Sequence, residues 1–306
     1  MTRRKHRSST AGTPGPAATR PGPQHGVRPA DAASSPAAGR RPRPTAGSDL
    51  WLYGRHPVLA ALANPHRRLD RLLATAETAA ELAKAVACAP VPRPTPASVE
   101  RRDLASVLPP DAVHQGFAAL ARPLAAQDLD DVADAAGPHG LLVMLDQVTD
   151  PRNIGAVLRS AQAFGAAAVV VQDRHAPEET GALAKAASGA LEAVPLVRCV
   201  NLARALRGLR ENGWCCVGLE GEAEGVLSRA SLGGRTVLVL GAEGDGLRRL
   251  VREACDVRVR IPIAPGVDSL NLAAAAAIAL HECARARDGA GGGDLPRRDT
   301  LANPGR

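Results

Sequence analysis

Three stretches of this chain carry residue types able to do chemistry at useful spacing. The first is Asp146-Gln147-Val148-Thr149-Asp150-Pro151-Arg152-Asn153-Ile154-Gly155, with Arg159 further on. Asp150 before Pro151 is the pattern of a helix N-terminus, and Gly155 allows close packing. Arg159 then lies one and a half turns past Asn153, apart from the apolar face of Ile154, Leu158 and Ala161. It reads either as solvated charge beside a well-capped helix or as a cationic fork for a phosphate or a hydroxyl oxygen. The second stretch is Leu240-Gly241-Ala242-Glu243-Gly244-Asp245-Gly246. It is not GxGxxG and lacks the lysine of a phosphate-binding loop. A carboxylate beside exposed amides repels polyphosphate and suits a ligand with hydroxyls or an amine, unless the loop is only a tight strand-to-helix turn. The third is Ile261-Pro262-Ile263 followed by Asp268-Ser269-Leu270-Asn271. Ser269 or Asn271 can cap the next helix. Asn271 also offers both donor and acceptor to a backbone, a ligand or a catalytic side chain. There is no Ser-His-acid order and no HExxH. His56, His114 and His175 have no evident partner and read as structural or surface groups.

These stretches need a scaffold that brings loops together. From Leu141 the pattern alternates cleanly. Strands are predicted at 141–145, 168–171, 194–197, 214–217, 237–240 and 257–263. Helices are predicted at 150–164, 178–187 and 202–209, and an Ala-rich one at 272–285. Strands alternating with helices give a largely parallel sheet covered on both faces. Such sheets place ligands in loops beyond the carboxyl ends of their strands, so the three stretches are expected to share one site. Upstream, residues 49–121 read as a small α/β domain. It has a strand or turn at 50–54 and a helix from Pro57 with Val58, Leu59 and Leu62 inward. Strands are expected around Leu69, Leu72 and Leu73 and at 86–88, helices at 77–84 and 99–108, and a strand with a polar corner at 113–120. Residues 122–139 form a linker with one or two helical turns, and 140–286 the second domain.

Composition narrows the class. The chain has 306 residues, 2% aromatics and a net charge of +7. Residues 1–48 hold nine Arg or Lys against the single acid Asp31, so this Pro-, Gly- and Arg-rich tail supplies nearly all the excess. It is expected to be disordered and fits a polyanionic partner or plain solubility. The end, 287–306, is expected to fray. Six cysteines without a CxxC point to small core residues in a reducing compartment, not to a metal site. No segment is long and apolar enough to span a membrane, and the cytoplasm is the expected location.

Together the three stretches resemble the SpoU/TrmH class of RNA ribose 2'-O-methyltransferases. The match runs through residues 145–161, 240–247, and 261–263 with 268–272. Tyr53-Gly54-Arg55-His56-Pro57-Val58 and Val113-His114-Gln115-Gly116 resemble the L30e-like RNA-binding domain that many members carry first. The resemblance implies an α/β fold, with a deep trefoil-knotted parallel-sheet methyltransferase domain behind a small L30e-like α/β domain. It implies S-adenosyl-L-methionine held in the knot, a homodimer and no metal. Gly241, Ile261 and Leu270, with Leu240, Gly246 and Ile263 beside them, would lie against the cofactor. Asn153, Arg159, Glu243, Ser269 and Asn271 match the catalytic positions. Within the class the chain is most similar to members that methylate one guanosine in the peptidyl-transferase region of 23S rRNA. A tRNA or another rRNA nucleotide as acceptor, or a non-catalytic role in ribosome assembly, are the competing readings.

An arginine stays protonated at a pKa above about 12, so Arg159 acts as a base only if the site depresses that pKa strongly; the favoured reading is that it holds phosphate and stabilises oxyanion charge. Asn153 would position the ribose or Arg159, and Glu243 would orient Arg159 or neighbouring amides. Leu272-Ala273 stands where the class often has Val-Ser, and Asp268 where it has Ser or Glu. Neither removes a catalytic position. Arg67, Arg68, Arg71, Arg101 and Arg102 fit phosphate contacts or a solvated face equally well.

Overall fold

The computed structural model describes residues 50–174 and 176–289. The basic tail, His175 and residues 290–306 lie outside the described residues. In the first half, β1 (Leu50–Tyr53), β2 (Leu69–Ala74), β3 (Ala97–Ser98) and β4 (Phe117–Ala121) form one sheet in the order β1-β4-β2-β3. β4 runs antiparallel to both neighbours, and β3 adds in parallel at the edge. Side-chain alternation splits the packing. Leu52 and Leu72 meet Leu62 of α1 (Arg55–Ala63) and Leu82 of α2 (Ala79–Ala87). Tyr53, Leu73 and Ala118 meet Leu104 of α3 (Arg101–Ser106) on the other face. Residues 86–88 are not the strand expected of them. The Cys88 N–H donates to the Lys84 carbonyl at 3.2 Å, closing α2.

The linker holds α4 (Leu129–Ala135), capped by the Asp128 carboxylate, which accepts from the Asp130 N–H at 2.9 Å. The second sheet contains β5 (Leu141–Leu145), β6 (Ala168–Gln172), β7 (Leu196–Cys199), β8 (Cys215–Leu219), β9 (Gly225–Val226), β10 (Thr236–Leu240) and β11 (Val257–Arg260). Their order is β7-β6-β5-β10-β8-β11-β9 and every pairing is parallel. α5 (Pro151–Ala163), α6 (Gly181–Ala187) and α9 (Leu272–Gly289) cover one face. α7 (Leu202–Glu211) and α8 (Arg249–Ala254) cover the other, together with α4. β5 and β10 are buried at every residue, as two-sided coverage requires. Cys215 packs on one face and Cys216 on the other. All six cysteines are free, and burial pushes the Cys255 and Cys283 thiols up to about 12, so both pack as neutral groups.

Several boundaries move for local reasons. α6 starts three residues later than expected because Thr180 caps it, its hydroxyl accepting from the Leu183 N–H at 3.1 Å. β7 starts after Pro195, because Val194 still bonds back to Ala190 at 2.9 Å. β11 ends before Pro262, which has no N–H to give a ladder. α9 continues through Gly289, past the point where fraying was expected.

The two sheets meet at a seam made by α6 and the turn after it. Arg67, expected to be a phosphate contact, is instead buried there at 1% exposure. Its Nε donates to both Glu192 oxygens at 3.0 Å, and its Nη1 donates to the Arg122 carbonyl at 2.8 Å and to Glu179 at 3.1 Å. Burial opposes its charge, but Glu192 and Glu179 outweigh that and raise its pKa. Arg68 pairs with Asp70 at 3.2 Å, and Arg71 lies 6.0 Å over the Trp51 ring. Arg101 and Arg102 are exposed.

Candidate active site

Strand order sets the site. β8 leads out to β9 at the sheet edge, and the chain returns to β10 between β5 and β8. It goes out again to β11 and then crosses back to α9, which packs on α5. The loops after β8, β10 and β11 are thereby stacked beyond the carboxyl ends of adjacent strands. They enclose a cavity of about 630 Å³, within the range of small-molecule sites, about 300–1,000 Å³. Leu240, Gly241, Gly246, Ile261, Ile263 and Leu270, named from sequence as cofactor contacts, all line it.

Local chemistry explains the wall. Residues 242–246 close on themselves, the Gly246 N–H donating to the Ala242 carbonyl at 3.0 Å. A Cβ on Gly241 would stand 2.1 Å from the Gly246 carbonyl group, so only glycine lets the loop shut against the end of β10. Asp146, fully buried at the end of β5, anchors the far side. Its Oδ2 accepts from the Arg248 N–H at 2.9 Å and its Oδ1 accepts from Arg248 Nε at 2.8 Å. Gln147 beside it is held at φ 58, a conformation disfavoured for a non-glycine residue.

Three of the five catalytic candidates, Asn153, Glu243 and Asn271, gather at the edge of the cavity. Glu243 Oε1 accepts from Asn271 Nδ2 at 2.9 Å, from the Leu272 N–H at 3.1 Å and from Asn153 Nδ2 at 3.2 Å. Asn271 Nδ2 also lies 3.3 Å from Asn153 Oδ1. The Asn271 side-chain Oδ1 accepts from the Ala273 N–H at 3.0 Å and the Ala274 N–H at 3.3 Å, capping α9. Asn271 therefore caps the helix and joins the cluster at once, and Ser269 does not cap. Asn153 reaches this point because Asp150 caps α5, accepting from the Arg152 N–H at 2.8 Å, with Pro151 in the first turn. Gly155 lets α5 meet α6, since a Cβ there would lie 2.5 Å from the Leu183 carbonyl oxygen. Ser269 is exposed on the cavity wall. Arg159 is exposed on α5, with no hydrogen bond or ion pair among the described residues. Glu243 engages amides, and neither it nor Asn153 touches Arg159.

Part of the cavity was not visible from sequence. Glu220, Gly221 and Glu222, after β8, form one wall, with Glu220 paired to Arg252 and Arg258. Acidic Glu222, Asp245 and Asp268 also line it, beside apolar Leu219, Leu240, Ile261 and Leu270. Apolar walls suit a flat base, and carboxylates suit hydroxyls and a cationic centre. The donor set therefore fits S-adenosyl-L-methionine and disfavours a polyphosphate. Among the described residues no group of three or more His, Cys, Asp or Glu is placed to hold a metal.

Known proteins agree with this geometry. The SpoU rRNA methylase family model matches residues 140–281, and the RNA 2'-O ribose methyltransferase substrate-binding model matches residues 51–127. The chain is 41% identical over 240 residues to a 23S rRNA (guanosine-2'-O-)-methyltransferase, RlmB, of Pseudomonas syringae, covering 77% of this chain and 95% of that protein. It is 42% identical over 241 residues to the RlmB of Ralstonia nicotianae, with the same coverage. Among solved structures, the SpoU methyltransferase AviRb of Streptomyces viridochromogenes superposes with a TM-score of 0.66 at 27% identity, over 79% of this chain and 91% of that one. A structure of AviRb in complex with AdoMet gives the same TM-score at 25% identity, over 78% and 91%. The strand order and returning α9 accord with the trefoil-knotted core of this group, preceded by a substrate-binding domain. Matches of this length and identity over both halves leave one assignment: the chain belongs to the SpoU family of RNA 2'-O-ribose methyltransferases.

Proposed function

We propose that this chain transfers the methyl group of S-adenosyl-L-methionine to the ribose 2'-hydroxyl of a guanosine in 23S rRNA. One observation carries the reading: Asn153 in the first turn of α5 and Asn271 just before α9 both donate to one carboxylate oxygen of Glu243, on the loop after β10, at the edge of the cavity. The substrate assignment draws on the RlmB relatives, which match across both halves.

The bound cofactor supplies a methyl group on a positively charged sulfonium. Leu240, Gly241, Gly246, Ile261, Ile263 and Leu270 would hold it, chiefly by shape and backbone groups. A 2'-hydroxyl is a weak nucleophile, so alignment with the methyl supplies much of the rate. Asn153 and Asn271, fixed by Glu243, would orient the ribose. Glu243 makes no hydrogen bond through Oε2 among the described residues, which leaves that oxygen open to the substrate. Arg159, exposed and without a partner among the described residues, would take the neighbouring phosphate and stabilise negative charge as the 2'-O–CH3 bond forms, the S–CH3 bond breaks to leave S-adenosylhomocysteine, and the O–H proton passes to solvent water. Ser269 would border the methyl-transfer corner. The chemistry calls for no metal.

Residues 49–121 would recognise RNA shape and unpaired bases, and 122–139 would link them to the methyltransferase domain at 140–286. A homodimer fits the exposed Ile278 on α9 with small alanines beside it. No helix among the described residues is long and apolar enough to cross a membrane, and a 23S rRNA substrate would support a cytoplasmic location. The test is methyl transfer from labelled S-adenosyl-L-methionine to unmodified 23S rRNA, with the position mapped. A single 2'-O-methylguanosine in the peptidyl-transferase loop is expected. Transfer to tRNA alone would overturn the substrate and keep the chemistry.

A further inference from the structure

The two N-terminal motifs meet at the seam between the sheets. The Gly54 N–H donates to the Phe117 carbonyl at 3.1 Å, and the Arg55 N–H donates to Gln115 Oε1 at 3.3 Å. A third group enters from the methyltransferase half. Lys185 of α6 donates through Nζ to the same Gln115 Oε1 at 2.7 Å. Its side chain lies against Gly54, where a Cβ would be 2.4 Å from Nζ and 3.0 Å from Cδ. Gln115 is held at φ 54, a conformation found where structure over-determines a residue, often beside a ligand.

Lys185 has an unusual charge environment. It is half-buried, and among the described residues no carboxylate forms an ion pair with it. The nearby acids are engaged elsewhere. Glu81 pairs with Arg55 at 2.6 Å, and Glu77 accepts from the Thr75 hydroxyl at 2.7 Å. Burial holds the Lys185 ammonium below the ordinary lysine range. Burial, then the charges of Arg101 and Lys185, push His114 down as well. The same surface leads on to the active site. Gly181, at the start of α6, packs on the Tyr53 ring, and the Arg152 charge reaches Tyr53. Arg152 precedes Asn153, and Arg159 follows it two helical turns later on one side of α5.

We propose that Lys185 is a docking point for a backbone phosphate of the RNA substrate, set where the substrate-binding and methyltransferase halves meet. It holds RNA bound at the His114–Gly116 corner in register with Arg152 and Arg159. The proposal rests on the reading of the chain as an RNA 2'-O-methyltransferase. An ammonium partly withdrawn from water, with one neutral oxygen for a partner, gains strongly from a phosphate oxygen. A compact ammonium serves such a contact as a point charge.

The test uses the full chain with Lys185→Gln and Lys185→Arg and an unmodified 23S rRNA fragment. Binding is measured across a salt series, and methyl transfer at saturating S-adenosyl-L-methionine. Lys185→Gln should raise KM for RNA about ten-fold, the loss of one charged contact, with kcat within about two-fold. The slope of log affinity against log salt should fall by about 0.7–0.9, one phosphate's share. Lys185→Arg should keep the wild-type slope. Cofactor affinity and thermal midpoint should not move in either variant. An unchanged slope and KM in Lys185→Gln would overturn the proposal, as would a loss of kcat alone. A wild-type protein that transfers no methyl group to RNA, while Lys185→Gln still lowers the salt slope of RNA binding, sinks the catalytic reading and supports the phosphate contact.

Discussion

Two clusters in this protein are built from the same side-chain types. At the seam, Asn64, Arg67, Glu179 and Glu192 come together. At the cavity mouth stand Asn153, Glu243 and Asn271, with Arg159 exposed further along α5. In the first, Asn64 Nδ2 donates to Glu192 at 2.8 Å, and Arg67 is enclosed by two carboxylates and a carbonyl. In the second, the amides and the carboxylate hold one another while the arginine is exposed and has no partner among the described residues. The seam cluster satisfies its charges internally, which is what a folding contact requires. At the mouth, Glu243 Oε2 has no hydrogen bond among the described residues, and neither does the Arg159 guanidinium along α5, which on the proposed function leaves both for the substrate. Residue type does not separate structure from chemistry here; completeness of the local partners does.

Exchanging the two arginines is the sharpest way to break this contrast. Arg67→Leu removes the only cation paired with the Glu192 and Glu179 carboxylates among the described residues, leaving Glu192 with Asn64 alone, and should cost about 3–5 kcal/mol in denaturant unfolding. Arg159→Ala should change stability by less than about 0.5 kcal/mol yet lower single-turnover methylation about 100- to 1,000-fold. If the two losses were reversed, the roles would be too. A middle case is Asn271→Ala, which touches both functions. It should cost about 1 kcal/mol as a lost helix cap and also slow methyl transfer by disordering Glu243. Full activity with lower stability would make Asn271 a cap alone.

The smallest effect concerns pH. His114 Nδ1 accepts from the Gly116 N–H at 3.1 Å, which requires that nitrogen unprotonated. Burial, then Arg101 and Lys185, lower its pKa below the usual histidine value. The unfolded chain therefore takes up the proton first as pH falls. The contribution is fully present above about pH 6.5, the unfolded value, and is lost progressively as pH falls from there through the lower folded value. Unfolding midpoints at pH 7.5 and 5.5 should differ in that direction, and by less in His114→Asn. A midpoint that rises on acidification would remove the buried, neutral histidine from the account.

Much of the scaffold was legible because the second half alternates apolar runs with capped helices. Asp150-Pro151 and Asn271 before an alanine run announced two helix starts, and both are used. What could not be read depends on distance along the chain. Arg67 and Arg68 are adjacent, and nothing local says that one is buried against Glu192 while the other is exposed. Asp146 and Arg248 are 102 residues apart, so their pairing is invisible until β5 and β10 lie side by side. β8 runs through Gly218 to Leu219 because β10 and β11 pair with it on both sides. Read alone, Gly218 ends the apolar run and hides the Glu220–Glu222 wall. The crossing path of the chain has no periodic signal, and resemblance supplied it.

The packing of Gly181 has a consequence for how the substrate is measured. A Cβ there would sit 2.4 Å from the Trp51 carbonyl oxygen and 2.5 Å from the Tyr53 ring, so the two halves touch with no layer between them. The span from the His114–Gly116 corner to Asn153 is then set by backbone contact rather than by a tether. If the corner grips RNA as proposed, the protein would work as a caliper with fixed jaws: the methylated nucleotide would be the one at the matching distance from the RNA feature held there.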